Sequence, residues 1–533
     1  MKITIKLAFV AAWVLGLNTA CTDSFESINT NQHEATKEMM ERDNLMVGAF
    51  FSQMERNVVL FKDGTNSSSD YQIAQGLTSD IYSGYIAPTG TWYSGKHNGS
   101  YYFITNWIHK TFDAGFSGVM PAWQEIRSIS DSLKLTQISA LADIVKVEAM
   151  HRVADTYGPI PYTNYGSGSL LNNYDALEDV YNQFFQELDH AIDELTIFVK
   201  GNPNTKLLED YDYVYNGDAT KWVKFANTLR LRLAMRIVYA NPTLAQQEAE
   251  KSIANSIGVI EEETGRATIL HSSNLVYYHP LYEIAYSFNS GEVRMGATMD
   301  AYMNGYSDPR LAAYFKTASD GKYHGVRLGI NTSTWDKYVS GNISNLNMDQ
   351  SSTEIVWMTA AESYFLRAEG ALRGWNMGGT AQSFYEKGIA MSFKENGVNG
   401  AESYVANSTS QPIAFTDNAT NSSLNASTPS TITIAWNTGD DFETNLERII
   451  TQKWIAEYPD GPEGWAEFRR TGYPKLFPVV TNYSNGSINT DIQVRRIPFP
   501  QSEYNTNAEG VATGVSKLGG LDNGGTKLWW DKK

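Results

Sequence analysis

One stretch, Ile355 to Gly374, limits the choice of fold more than any other part of the chain. Apolar and small residues recur at Trp357, Ala361, Tyr364, Phe365, Ala368 and Leu372, a spacing of three and four that lines one face of a helix. Ala361, Ala368 and Ala371 are small enough for a second helix to approach along that face. The loop Gly374-Trp375-Asn376-Met377-Gly378-Gly379 ends the helix, because glycine accepts the left-handed cap conformation. Beyond it Ala381, Tyr385 and Gly388 repeat a step of four and then three, so the segment predicts two closely packed antiparallel helices.

The same periodicity recurs elsewhere. Trp107 to Tyr157 carries Ile138, Leu141, Ile144, Val145 and Ala149 on one stripe, and ends at Gly158-Pro159-Ile160-Pro161, where the prolines force an extended turn. Tyr174 to Phe198 presents Val180, Tyr181, Phe184, Leu188, Ala191 and Leu195, and Gly217 to Ile237 presents Trp222, Phe225, Ala226, Leu229 and Leu233. Leu244 to Ile257 and two segments within Glu447 to Phe477 complete a mostly α fold with few short strands. Arg230, Arg232 and Arg236 are read as partners for acidic helices, His151 as a packed helix residue, and Glu457 and Glu463 as structural.

Charge and cysteine usage narrow the function. Lys+Arg 42 against Asp+Glu 59 gives a net charge of −17, which repels phosphate backbones and argues against nucleic-acid binding. The single cysteine, Cys21, excludes an intramolecular disulfide and a cysteine-built metal site. It follows Lys2, Lys6, an apolar run from Leu7 to Leu17, and Asn18-Thr19-Ala20. That order reads as a secretory signal over 1–20 with Cys21 as the lipid-attachment residue. A plain signal peptide or an uncleaved anchor are the alternatives, the anchor disfavoured by a run shorter than the roughly 20 residues a span needs. Residues 21–41 are polar and suit a lipid-anchored tether, followed by one folded domain over 42–533.

Within that domain three regions lose periodicity, near 62–106, 258–350 and 401–440. The last is rich in Ser, Thr and Asn and reads as an exposed insertion. The first two set aromatics among Gly, Ser and Asn: Tyr71, Tyr82, Tyr85, Trp92 and Tyr93 in one, Tyr277, Tyr278, Tyr282, Tyr286, Trp335 and Tyr338 in the other. Rings placed in such loops either anchor the loop or bind a ligand.

Five separated segments also carry a resemblance. TAAESYFLRAEGALRGW, DTYGPIPY, the arginine-bearing helix from Gly217, the Glu447–Phe477 segment and RRIPFPQSEYNTN are similar, in order, to hallmarks of the SusD/RagB family. The resemblance implies a scaffold of tetratricopeptide-like helix hairpins with an irregular, loop-rich binding face. It further implies an outer-membrane, lipid-anchored protein that captures oligosaccharides for a TonB-dependent (SusC-like) transporter, without a cofactor. On this basis Trp92, Tyr93, Tyr286, Trp335 and Tyr338 are the expected stacking residues, since a ring face suits the C–H groups of a sugar. Asp70, Asp80 and Asn289 are the expected hydrogen-bonding residues. Two rivals stand beside this reading. One is peptide capture by the same family. The other is a glycoside hydrolase, which needs two carboxylates facing one bond. Asp80, Glu283 and Glu292 lie in the right loops but in no recognisable catalytic context.

Overall fold

A computed structural model describes residues 45–169, 171–272, 275–330, 336–419 and 421–533. Cys21, the signal and tether segments and Trp335 lie outside these residues. The scaffold consists of ten helices: α1 (Leu45–Arg56), α2 (Met120–Leu133), α3 (Thr136–Tyr157), α4 (Leu177–Gly201), α5 (Ala219–Arg236), α6 (Pro242–Ala254), α7 (Ala360–Leu372), α8 (Ala381–Glu395), α9 (Phe442–Ala456) and α10 (Gly461–Thr471). Neighbours in sequence pack as hairpins: α2 with α3, α3 with α4, α4 with α5, α5 with α6 and α7 with α8. Contacts of α5 and α9 with α7 join the two groups.

Local chemistry sets the helix ends. The Asp218 carboxylate accepts from the amides of Thr220 and Lys221 at 3.1 and 3.2 Å to start α5, a favoured use of an N-cap aspartate. Thr359 accepts from the Glu362 amide at 3.1 Å to start α7. This start corrects the expected helix boundary. Ile355–Met358, including Trp357, forms strand β4, which pairs antiparallel with β2 (Ala267–Ile269). Its β-branched Ile355 and Val356 prefer a pleated backbone, and Thr359 begins the helix only after them. A second two-stranded sheet pairs β1 (Ile86–Pro88) with β3 (Val293–Met295).

The α7–α8 hairpin closes tightly, as the small residues predict. Ala361 and Ala368 are fully buried. A Cβ on Gly388 would stand 2.9 Å from the Phe365 ring, so glycine is what permits the approach. The arginines of α5 do meet acidic helices. Arg232 Nη2 lies 2.6 Å from Glu362, Arg236 Nε lies 3.1 Å from Asp155, and Arg230 pairs with Asp189. His151 is packed as expected, buried with its Nδ1 3.2 Å from the Val147 carbonyl.

Glu362, Glu457 and Glu463 bring carboxylate oxygens within 4.8 Å of one another in the core. The Lys453 ammonium stands among them, 2.6 Å from Glu457, 2.8 Å from Glu463 and 3.7 Å from Glu362. A cation is thus already supplied by the chain. Burial pushes Glu457 well above the usual carboxylate range. Burial would raise Glu463 too, but Arg236, Lys453 and Arg232 hold it well below that range.

The 401–440 segment is not wholly exposed. Phe415, Leu424, Ile432 and Ile434 are buried, and the Tyr385 hydroxyl donates to the Ile434 carbonyl at 2.7 Å. Isolated apolar residues among the Ser and Thr plug it onto the body: Ile434 against α8, Phe415 beside Ala301 and Phe477, and Leu424 beside Ala87 and Val326. The loops before β1 are likewise fastened to the scaffold: Tyr85 stacks on Trp454 at 5.3 Å and donates to its carbonyl at 2.6 Å.

Candidate functional site

The β1–β3 ladder sets the geometry of the loop face. Its register pairs Ile86 with Met295 and Pro88 with Val293, and the Thr89 amide donates to the Glu292 carbonyl at 2.9 Å. Thr89 Oγ1 also donates to the Gly291 carbonyl at 3.0 Å. Trp92 follows Thr89 by three residues and Asn289 precedes Glu292 by three, so the two loops leave the same end of one small sheet.

The Trp92 loop carries an aromatic cluster. Trp92 lies edge-on to His97 at 5.2 Å and to Trp107 at 5.7 Å, and Tyr93 packs on Trp107 at 5.7 Å. All three rings retain solvent exposure, and Tyr93 is 64% exposed. Tyr93 and Ser94 both adopt left-handed backbone, with φ of 52° and 59°. Two such residues in succession cost on the order of 1–3 kcal/mol each. A Cβ on Gly90 would come within 2.9 Å of the Trp92 indole, so this glycine lets the ring fold back over its own loop. Fully buried Asn98 ties the cluster together: its Nδ2 donates to the Trp107 carbonyl at 3.2 Å and its Oδ1 accepts from the Ile104 amide at 3.0 Å. Burial pulls His97 down to about 4, so it meets Trp92 as a neutral ring.

Trp107 is the residue that sequence reasoning missed. The sequence pattern groups it with the following helix, yet it occupies the short turn Thr105–Trp107 ahead of that helix. The run Tyr101-Tyr102-Phe103-Ile104-Thr105-Asn106-Trp107 continues the aromatic loop signal and could have revealed it.

Across the sheet, Tyr286 ends the short helix Pro280–Tyr286 and stacks on Tyr282 at 4.9 Å. The Lys316 ammonium lies 5.0 Å from the Tyr286 ring centre, and the Tyr286 hydroxyl donates to the Leu346 carbonyl. Asn289 is exposed, with φ of 46°, and its Nδ2 donates to Glu292, which also accepts from Gln72. Gln72 begins a π-helical turn, Gln72–Gly76, a distortion common at functional sites. Buried Arg294 clamps this half. Its guanidinium donates to the carbonyls of Ala285, Ser290 and Val339 at 3.0, 3.3 and 2.9 Å. Gly291, at φ 108°, leaves room for it, since a Cβ there would lie 2.3 Å from Nη1.

Three expected residues occupy other roles. Asp80 is 1% exposed and accepts from Tyr71 at 2.9 Å and Gln75 at 3.1 Å. Burial lifts it to about 7. Tyr338 is 1% exposed in a small core with Ala87, Val326, Ile330 and Ile343. Neither presents its side chain to a surface ligand. Both sit in loops by sequence, but these loops pack inward. Asp70 closes a capping box, accepting from the Ser67 amide at 2.8 Å, and pairs with Lys110 at 2.8 Å. Burial raises its pKa, but Lys110 and Ser67 outweigh that and hold the carboxyl below its usual range.

The accessible face therefore offers ring surfaces, amides and hydroxyls. Glu283 accepts from Lys62 and, at 2.6 Å, from Ser68. Burial raises its pKa, but those partners prevail and keep it ionised, unsuited to donate a proton. Asp80, the candidate whose pKa is raised, is sealed from the surface.

Comparison with known proteins agrees with this architecture. A family model described as SusD-like, "Susd and RagB outer membrane lipoprotein", matches residues 27–531. A chitin-binding SusD homolog from Flavobacterium johnsoniae is 45% identical, with a TM-score of 0.87 over 91% of this chain and 99% of that one. A SusD homolog from Bacteroides uniformis is 37% identical, with a TM-score of 0.84 over 92% and 99%. One from Bacteroides vulgatus is 36% identical, with a TM-score of 0.86 over 92% and 99%. No curated protein matches the chain. No helix among the described residues is long and apolar enough to cross a membrane. With nearly its whole length matched by the family model and its helical scaffold shared with those solved structures, the chain belongs to the SusD-like family of SusD and RagB outer-membrane lipoproteins.

Proposed function

We propose that this protein captures neutral oligosaccharides at the cell surface and delivers them to a TonB-dependent outer-membrane transporter. It is held to the membrane by lipid on Cys21, and it binds glycan without cleaving it. The observation that carries the reading is the Trp92–Tyr93–Trp107 cluster, kept in solvent by two consecutive left-handed residues. Backbone strain of this kind gathers at ligand sites, and here it accompanies a ring that stays 64% exposed. Asn289 and Gln72 hold their amide nitrogens on Glu292 and can offer their amide oxygens to hydroxyl or N-acetyl N–H groups. The 45% identical neighbour binds chitin, which makes β-linked N-acetylglucosamine chains the first class to test here.

Because the rings form an open surface, affinity of about 1 mM to 1 μM is expected, roughly −4 to −8 kcal/mol. Affinity electrophoresis of the soluble domain against soluble chitin, other neutral polysaccharides and a cationic peptide tests the proposal. Retardation by a glycan with none by the peptide supports it. Binding of the peptide alone transfers the function to peptide capture, and released reducing ends would establish a hydrolase.

A further inference from the structure

A cleft of about 740 Å³ opens between α1 and the segment Lys110–Val119, walled also by Thr65, Asn66 and Tyr213. Its size falls within the range of small-molecule sites. Its lining mixes amides and hydroxyls, on Gln53, Asn57, Asn66 and Ser117, with apolar surface on Ala49, Ala114, Tyr211 and Tyr213. The charges at its edge already have partners. Arg56 Nε lies 3.5 Å from Asp63, its Nη2 donates to the Tyr213 hydroxyl at 3.2 Å, Lys110 pairs with Asp70 at 2.8 Å, and Asp113 meets His109 at 2.6 Å. Such a wall suits a neutral, polyhydroxylated ligand better than an ion or a lipid.

The cleft also adjoins the aromatic cluster. Trp107 in the cluster and Lys110 in the cleft are three residues apart, at most about 11 Å along the chain. The helix Lys110–Asp113 is flanked by two π-helical turns: Gln72–Gly76 packs beside it, and Ala114–Val119 continues it into the cleft wall. We propose that this cleft is a second subsite for the same glycan, so that a chain stacked on Trp92 and Trp107 continues into it. The inference rests on the glycan reading of the cluster and gives the protein a preference for longer chains.

Calorimetry with N-acetylglucosamine dimer and hexamer tests it, on wild type, Trp92→Ala, Ser117→Trp and Asn66→Ala. Ser117 is exposed at the cleft, so a tryptophan there fills the space without entering the core. The expected result is about a tenfold loss of hexamer affinity in Ser117→Trp, about 1.4 kcal/mol, with dimer affinity unchanged. Asn66→Ala should move the same way by a smaller factor, and it decides the question if Ser117→Trp melts early. Trp92→Ala should weaken both ligands. Unchanged hexamer affinity in both cleft variants, with Trp92→Ala impaired, overturns the subsite and leaves the platform standing. Absence of binding by the wild type removes both.

Discussion

Replacing Lys453 by methionine should be among the most damaging single changes in the core. The side chain is 1% exposed, and its ammonium contacts Glu457 at 2.6 Å, Glu463 at 2.8 Å, Glu467 at 3.3 Å and Glu362 at 3.7 Å. Methionine keeps the volume, so little cavity forms. What is lost is the one lysine neutralising four buried carboxylates, leaving Arg232, Arg236 and Arg470 to hold a network with excess negative charge. Breaking a buried ion pair from one side costs about 3–5 kcal/mol. The sign with pH follows from Glu463, whose folded pKa lies well below the ordinary 4.5. Its stabilising contribution is present above that value and is lost as pH falls through the folded pKa. The deficit of Lys453→Met should therefore be full at neutral pH and shrink in acid. Urea unfolding of both proteins across that range measures it. A deficit under 1 kcal/mol at neutral pH, or one that grows in acid, would refute the reasoning.

Other outcomes follow from single sites. Gly388→Val should lose roughly 1–3 kcal/mol by thermal unfolding, since its Cβ would meet Phe365 at 2.9 Å; an unchanged melting temperature would mean that the hairpin yields freely. Asp80 has a folded pKa raised from 3.8 to about 7, so its contribution is complete below pH 3.8 and lost as pH rises through 7. Asp80→Asn should gain stability relative to wild type across that window, and a flat difference in melting temperature would contradict this. Cys21→Ala should leave the fold intact and free the protein from membranes, and retention after a carbonate wash would exclude the lipid anchor.

The sequence made the scaffold legible because helix packing repeats. A stripe such as Val180, Tyr181, Phe184, Leu188 and Ala191 is written every three or four residues, and all five are buried. The family hallmarks pointed to the same helices. Where two local preferences competed, periodicity misled: Trp357 sits on the helical stripe but belongs to β4, because β-branched neighbours precede the Thr359 cap. The loop face was less readable. A loop aromatic looks the same in sequence whether it turns outward like Tyr93 or inward like Tyr338. The difference depends on distant partners, such as Asn98 holding Trp107 and Arg294 holding three carbonyls. Nothing in the residues around Arg294 announces that role.

The central claim is that the exposed rings bind glycan, and calorimetry of the double variant Trp92→Ala/Trp107→Ala with N-acetylglucosamine hexamer tests it most directly. Both rings are half-buried in the loop face and outside the core, so the melting temperature should fall only modestly while binding falls below detection. Wild-type affinity in a folded double variant would contradict the account.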